Sequence, residues 1–232
     1  MMPPSAFTPE QSNDVAYLRV VACSNPRLTA ALVGITDCQR TWQERRCLII
    51  AVHEAGHAIA GYLLGARVEL IDIGCVRDRE TVGETRTRLP LEDREDRLRA
   101  PISEQALYHR AVITKAYAGI AAEDLVFGGV SSGYNDDMRA IAGHLRVLQA
   151  EFGIDTDHMH YRKRAALLLR RAHEALVELA AELLQSVTVA DDEAHSLVER
   201  ACAGLDIAHP RRRANQCPAP KSQSRIRSVR RP

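Results

Sequence analysis

Aromatic side chains are scarce: three Phe, six Tyr and one Trp make up 4% of the 232 residues. So few rings argue against a surface that stacks nucleic-acid bases. Uninterrupted apolar runs are missing as well. The most apolar stretch, CLIIAVHEAGHAIAGYLLGA (47–66), is broken by two histidines and a glutamate, groups that cost several kcal/mol at a bilayer centre, so no transmembrane helix is expected. The N-terminal MMPPSAFTPEQSND has no basic start followed by an apolar run; a secretory signal is not read here, and a cytoplasmic, soluble protein is expected. The six cysteines, Cys23, Cys38, Cys47, Cys75, Cys202 and Cys217, form no zinc-ribbon or redox spacing. Reduced thiols are the expectation. Nor is there any G-x-x-x-x-G-K-[ST] loop to cradle a nucleotide phosphate.

What is present is an aliphatic core composition, 46% hydrophobic, which with few aromatics points to a mostly helical fold. The formal charge of +1 hides an asymmetry. Eight of the 31 basic residues (Arg211, Arg212, Arg213, Lys221, Arg225, Arg227, Arg230 and Arg231) follow Asp206 with no acid among them, so an acidic body carries a basic tail. The chain divides into an arm (1–40) with several prolines, one folded domain (41–204) and the tail (205–232), whose composition is that of a disordered segment. The tail is a candidate contact for nucleic acid or anionic lipid, against the plainer reading of a solubilising segment.

A first helix is predicted from TWQE, where Thr41 can cap and Glu44 can reach back; Leu48, Val52, Ala55, Ile59 and Leu63 recur at helical spacing until Gly65. RVELIDIGC and ETVGETRTR then read as two short strands joined at VRDR. LPLEDREDRLRAP reads as a charged surface loop. A second long helix runs from Ser103 to Phe127, a third from near Met138 to Phe152, and residues 161–185 carry one amphipathic stripe that includes Leu167 and Ala172. A short helix near 191–203 closes the domain. The fold class is mostly α with a small β-sheet, α+β.

His53 and His57 are four residues apart, so on a helix they project about 40° apart on one face, with Glu54 between them in sequence and at the side of that face. Two neutral imidazoles in this arrangement can bind Zn²⁺ while the carboxylate takes a proton from water beside the ion. The apolar flanks make the helix a buried one, where two histidines and a glutamate need either a metal or hydrogen-bond partners. A hydrogen-bonded core arrangement is the alternative. Spacing alone does not choose a third ligand among His109, His144, His158, His160, His173, His195 and the carboxylates.

HEAGHA (53–58) and GIAAEDLVFGGVSSGYNDDM (119–138) resemble the peptidase domain of the membrane-bound AAA zinc proteases, the FtsH family. Ala121, Ala122, Glu123, Phe127, Gly128 and Gly133 match that family's pattern without gaps, and EFG (151–153) continues the register. The resemblance, which covers residues 48–200, puts the third zinc ligand at Asp137 rather than Asp136. It also makes VELIDI and TVGETRTRLP the family's strand and edge strand, so that Val82, Gly83, Glu84 and Thr85 are expected to bind substrate by strand addition. Tyr134, Asn135 and Asp136 replace the usual residues before the ligand, and Ile120 stands where Arg is common.

The implied activity is zinc-dependent endoproteolysis of unfolded or flexible polypeptides, with Glu54 as general base. Neither the family's transmembrane segment nor its ATPase domain is found in the chain. A separate AAA ATPase partner and a hexameric ring are therefore what the resemblance implies. The rival expectation is a non-catalytic module that binds unfolded chains or an ATPase.

Overall fold

In a computed structural model the described residues are 42–74, 83–129, 135–154 and 157–205. The N-terminal arm, Thr41, the VRDR turn, Val82 and the basic tail lie outside them. Helix α1 (Trp42–Leu63) leads into β1 (Arg67–Asp72) and β2 (Glu84–Arg88). There follow α2 (Arg94–Arg99), α3 (Ile102–Phe127), α4 (Asn135–Phe152), α5 (His158–Arg171), α6 (His173–Ser186), β3 (Thr188–Ala190) and α7 (Asp191–Ala201).

The two long helices form the centre. From Leu48 onward α1 is apolar on nearly every face, and Leu48, Ala51, Val52, Ala55, Ala58, Ile59 and Ala60 are fully buried. A helix apolar all round belongs in a core. It packs on α3, whose second half is equally enclosed, from Ile113 through Ala122 to Phe127. Small residues bring the two axes close: a methyl group added at Gly56 would stand 2.6 Å from both the Ala118 carbonyl oxygen and the Ala122 methyl. That closeness lets side chains of α1 reach backbone and side chains of α3. Helices α4 and α5 cover the other sides of α3, while α6 lies on α1. Gly65, at φ 90°, ends α1, and Gly128, in the left-handed conformation, ends α3.

The sheet is antiparallel in the order β2-β1-β3. β1 aligns Val68 with Thr87 and Ile71 with Thr85, with a bulge between Val68 and Leu70. Among the described residues β2 is therefore an edge strand. Its inner residues Thr85 and Thr87 face the helices while Glu84, Arg86 and Arg88 face out.

Several expectations need correction. LPLEDREDRLRAP is not all loop: Asp93 accepts from the backbone N–H groups of Glu95 and Asp96 and so starts α2. α5 starts ahead of the predicted stripe, at His158, because Asp157 caps it through the N–H of Met159. The stripe over 161–185 is two helices, and no Pro or Gly marks the break; it sits at Ala172, which is fully buried by packing. Leu167, counted in that stripe, is exposed. A third strand follows α6, and α4 begins at Asn135 rather than near Met138. Cys47 is disulfide-bonded, against the expectation of reduced thiols, because sequence spacing does not tell which sulfurs a fold brings together. Cys202 is free and buried. Among the described residues, no helix is long and apolar enough to cross a membrane.

α3 and α4 are tied by a pair of imidazoles, His109 Nδ1 and His144 Nδ1 at 2.7 Å, packed against Tyr108 and Phe152. One must donate and the other accept, so at most one ring nitrogen of the contact carries a proton. Burial, the neighbouring His109 and the charges of Arg97 and Lys115 push His144 down to about 4. Burial and Arg97 lower His109 too, with Glu151 opposing. Unfolded histidine titrates near 6.5, so between there and about 4 the unfolded chain binds more protons than the folded one. The stabilisation from this pair is present above that window and is lost as pH falls through it. Thermal melts from pH 7.5 to 4 are expected to show Tm falling on acidification, with a shallower slope in His144→Gln; an unchanged slope would refute the assignment.

Candidate metal centre

The fourth and fifth turns of α1 present His53, Glu54 and His57 toward α3, β2 and the start of α4. His53 Nε2 lies 3.0 Å from His57 Nε2 and 3.0 Å from Asp137 Oδ2, and His57 Nε2 lies 3.3 Å from the same carboxylate oxygen. These are the three residues among the described ones whose ligand atoms gather closely enough to hold a metal ion. Asp136 turns away, exposed and paired with Arg139.

The other nitrogen of each ring is committed. His53 Nδ1 donates to Glu123 Oε1 at 2.6 Å, and His57 Nδ1 donates to the Lys115 carbonyl at 2.9 Å. A neutral imidazole that donates through Nδ1 carries its lone pair on Nε2. Both lone pairs therefore point at one place, together with a carboxylate oxygen. Three acceptors this close repel one another unless a cation lies among them. The arrangement attracts protons for the same reason. Burial lowers the pKa of His53, but hydrogen bonds to Asp137 and Glu123 and the charge of Glu54 outweigh it and lift it to about 10. Burial raises Asp137, yet the bonds from His53 and His57 hold it well below the usual carboxylate range.

The donor set suits zinc. Two nitrogens and one carboxylate oxygen are borderline-hard ligands, and ligands about 2.0–2.1 Å from a tetrahedral zinc stand roughly 3.3 Å apart. Glu123 and the Lys115 carbonyl are the kind of outer partners that fix the orientation of metal-binding histidines. Sequence reasoning matched Glu123 to a family pattern but gave it no task, and it did not find Lys115; spacing carries no signal for contacts made across 58 or 70 residues of chain.

Glu54 is almost wholly buried, 3% exposed. Its Oε2 accepts from the Thr85 hydroxyl at 2.6 Å. The side chain of Thr85 thus faces Glu54 rather than solvent, and what β2 leaves toward an added strand is its main chain. Gly83 permits this approach, since a methyl group there would stand 2.6 Å from Glu54 Oε1. Glu84 is exposed and paired with Arg86. Val82 lies outside the described residues.

The other histidines have different partners. His109 and His144 hold each other, His158 contacts the Tyr117 hydroxyl at 3.4 Å, and His195 accepts from the Val68 N–H.

Comparison with known proteins gives the family of the chain. The model of peptidase family M41 matches residues 40–197. The ATP-dependent zinc metalloprotease FtsH 2 of Sphaerobacter thermophilus is 29% identical over 174 residues, covering 75% of this chain and 24% of that protein. FtsH 1 of Symbiobacterium thermophilum is 32% identical over 160 residues, 67% of this chain and 25% of its own length. FtsH of Haemophilus influenzae is 27% identical over 180 residues, 73% and 26% respectively. The chain thus spans about a quarter of the length of these curated relatives. A family model that runs from the first turn of α1 to α7, over a helical fold with a small sheet, leaves one conclusion: the chain belongs to peptidase family M41.

Proposed function

We propose that this chain is a zinc-dependent endopeptidase acting on unfolded or flexible polypeptides. The observation that carries the reading is the convergence of His53 Nε2, His57 Nε2 and Asp137 Oδ2 beside a buried glutamate and an edge strand. His53, His57 and Asp137 hold the ion. Bound zinc supplies Lewis-acid polarisation and lowers the pKa of water toward neutrality.

Glu54 takes the proton of the attacking water and passes it to the departing amine as the C–N bond breaks, so that the carboxylate is regenerated. Thr85 keeps that carboxylate pointed at the site through Oε2. Glu123 and the Lys115 carbonyl hold the two imidazoles in the tautomer that ligates. The edge of β2, unpaired among the described residues, takes an extended peptide by main-chain hydrogen bonds, which tolerate many side chains. Gly83, Glu84 and Thr85 are proposed to meet the peptide there, as is Val82, which lies outside the described residues. The relatives are named as ATP-dependent, and a partner ATPase is proposed for this chain on that footing; a hexameric ring is proposed on the family resemblance alone.

The test is hydrolysis of casein by the purified chain. Stripping metal with 1,10-phenanthroline is expected to stop cleavage, and stoichiometric zinc to restore it. Zinc-loaded protein that leaves casein intact would refute the peptidase reading and leave a module that binds without cutting.

A further inference from the structure

Lys115 sits on α3 one turn before Gly119, and its backbone carbonyl holds His57. Its side chain reaches β2. Nζ donates to Thr87 Oγ1 at 2.9 Å, on the inner face of β2. Thr87 is two residues beyond Thr85, the residue that holds Glu54, so the ammonium stands roughly 7 Å along the strand from the reacting centre. A peptide laid along β2 would pass it one or two residues from the bond cut.

An ammonium has three N–H donors. Among the described residues, Thr87 is the hydrogen-bond acceptor for Lys115, and no carboxylate lies within ion-pair distance of Nζ. The side chain is half-buried. Burial lowers its pKa, and the more distant charges of Glu92, Asp137 and Glu54 oppose that shift. A partly desolvated cation with donors to spare is costly unless something completes its shell. The other cations of β2 do not share this position. Arg86 pairs with Glu84 and Arg88 with Glu69, both on the outer face.

Resting on the peptidase reading, we infer that Lys115 is a specificity-determining residue that binds a carboxylate of the substrate. The carboxylate comes from an Asp or Glu side chain near the scissile bond, or from the free C-terminus of the polypeptide. Thr87 aims the ammonium along the strand, and the two remaining N–H groups take the two carboxylate oxygens.

Binding, read apart from cleavage, tests this. Fluorescein-labelled ten-residue peptides are titrated by fluorescence anisotropy into zinc-loaded Glu54→Gln protein, with Glu or Gln at each central position and with a free or amidated C-terminus. About tenfold tighter binding is expected for the acid over its amide in one of the two arms, and that arm identifies the source of the carboxylate. Lys115→Met should bring the ratio to about one, and Lys115→Arg should keep it, a distinction that a purely structural tie to Thr87 does not produce. Equal binding of acid and amide peptides, or a ratio that survives in Lys115→Met, would overturn the inference. Casein cleavage by the Glu54 protein reports on the peptidase reading separately.

Discussion

Glu54→Gln is expected to lower kcat for casein hydrolysis by about 10²–10⁴-fold while leaving zinc bound. The substitution is nearly isosteric, so the fold and the packing under β2 are kept. The amide carbonyl still accepts the Thr85 hydroxyl that now lies 2.6 Å from Oε2. None of the three proposed ligands is altered. What is lost is the capacity to take a proton from water and return it to the leaving amine, a loss that falls on the chemical step and not on binding. KM should therefore change little. A variant that keeps its zinc and cleaves within about threefold of the parent rate would remove Glu54 from the mechanism.

The second large effect comes from a single methyl group. In Gly119→Ala the new Cβ would lie 2.4 Å from His53 Nε2 and 2.6–2.7 Å from two ring carbons. The ring has little room to retreat, since its Nδ1 is held to Glu123 at 2.6 Å and α1 and α3 are already in close contact at Gly56. The imidazole must leave its place or the helices must part. A displacement of this size is expected to weaken zinc binding by about 100-fold or more, and activity with it. Helix propensity acts in the opposite direction, because Ala in a helix is favoured over Gly by roughly 0.5–1 kcal/mol. Gly143→Ala separates the two terms. A Cβ at Gly143, on α4, meets nothing within 4 Å, so that variant should gain stability and keep its zinc. Equal zinc affinity in both variants, by competition with a chromophoric chelator, would show that His53 has no fixed place to lose.

How much of this was legible beforehand depends on the range of each signal. The register of α1 is local, and the reading of His53, Glu54 and His57 on one buried face matches the helix as built. Asp137 was not reachable by spacing. It comes from the resemblance, and its carboxylate lies 3.0 Å from His53 Nε2 across 84 residues of sequence. The sequence offers Thr85 as a substrate contact but carries no signal that its hydroxyl also serves Glu54, which only the packing of β2 on α1 decides.

The missed elements share a cause. β3 follows Val187, a β-branched residue at φ 57°, which no propensity would choose. α2 is six residues with none buried, so it has no apolar period to detect and is held by its cap at Asp93. The break at Ala172 has no breaker residue and is fixed by the surfaces of α1 and α3 that α5 and α6 must cover.

The central claim is that His53, His57 and Asp137 form one zinc site. Its most direct test is metal analysis, by inductively coupled plasma mass spectrometry after desalting, of the purified chain and of Asp137→Ala. The account predicts about one zinc ion per chain in the parent and a small residual fraction in the variant, with the helical circular dichroism spectrum of both unchanged. A parent without zinc, or a variant that retains it in full, would contradict it.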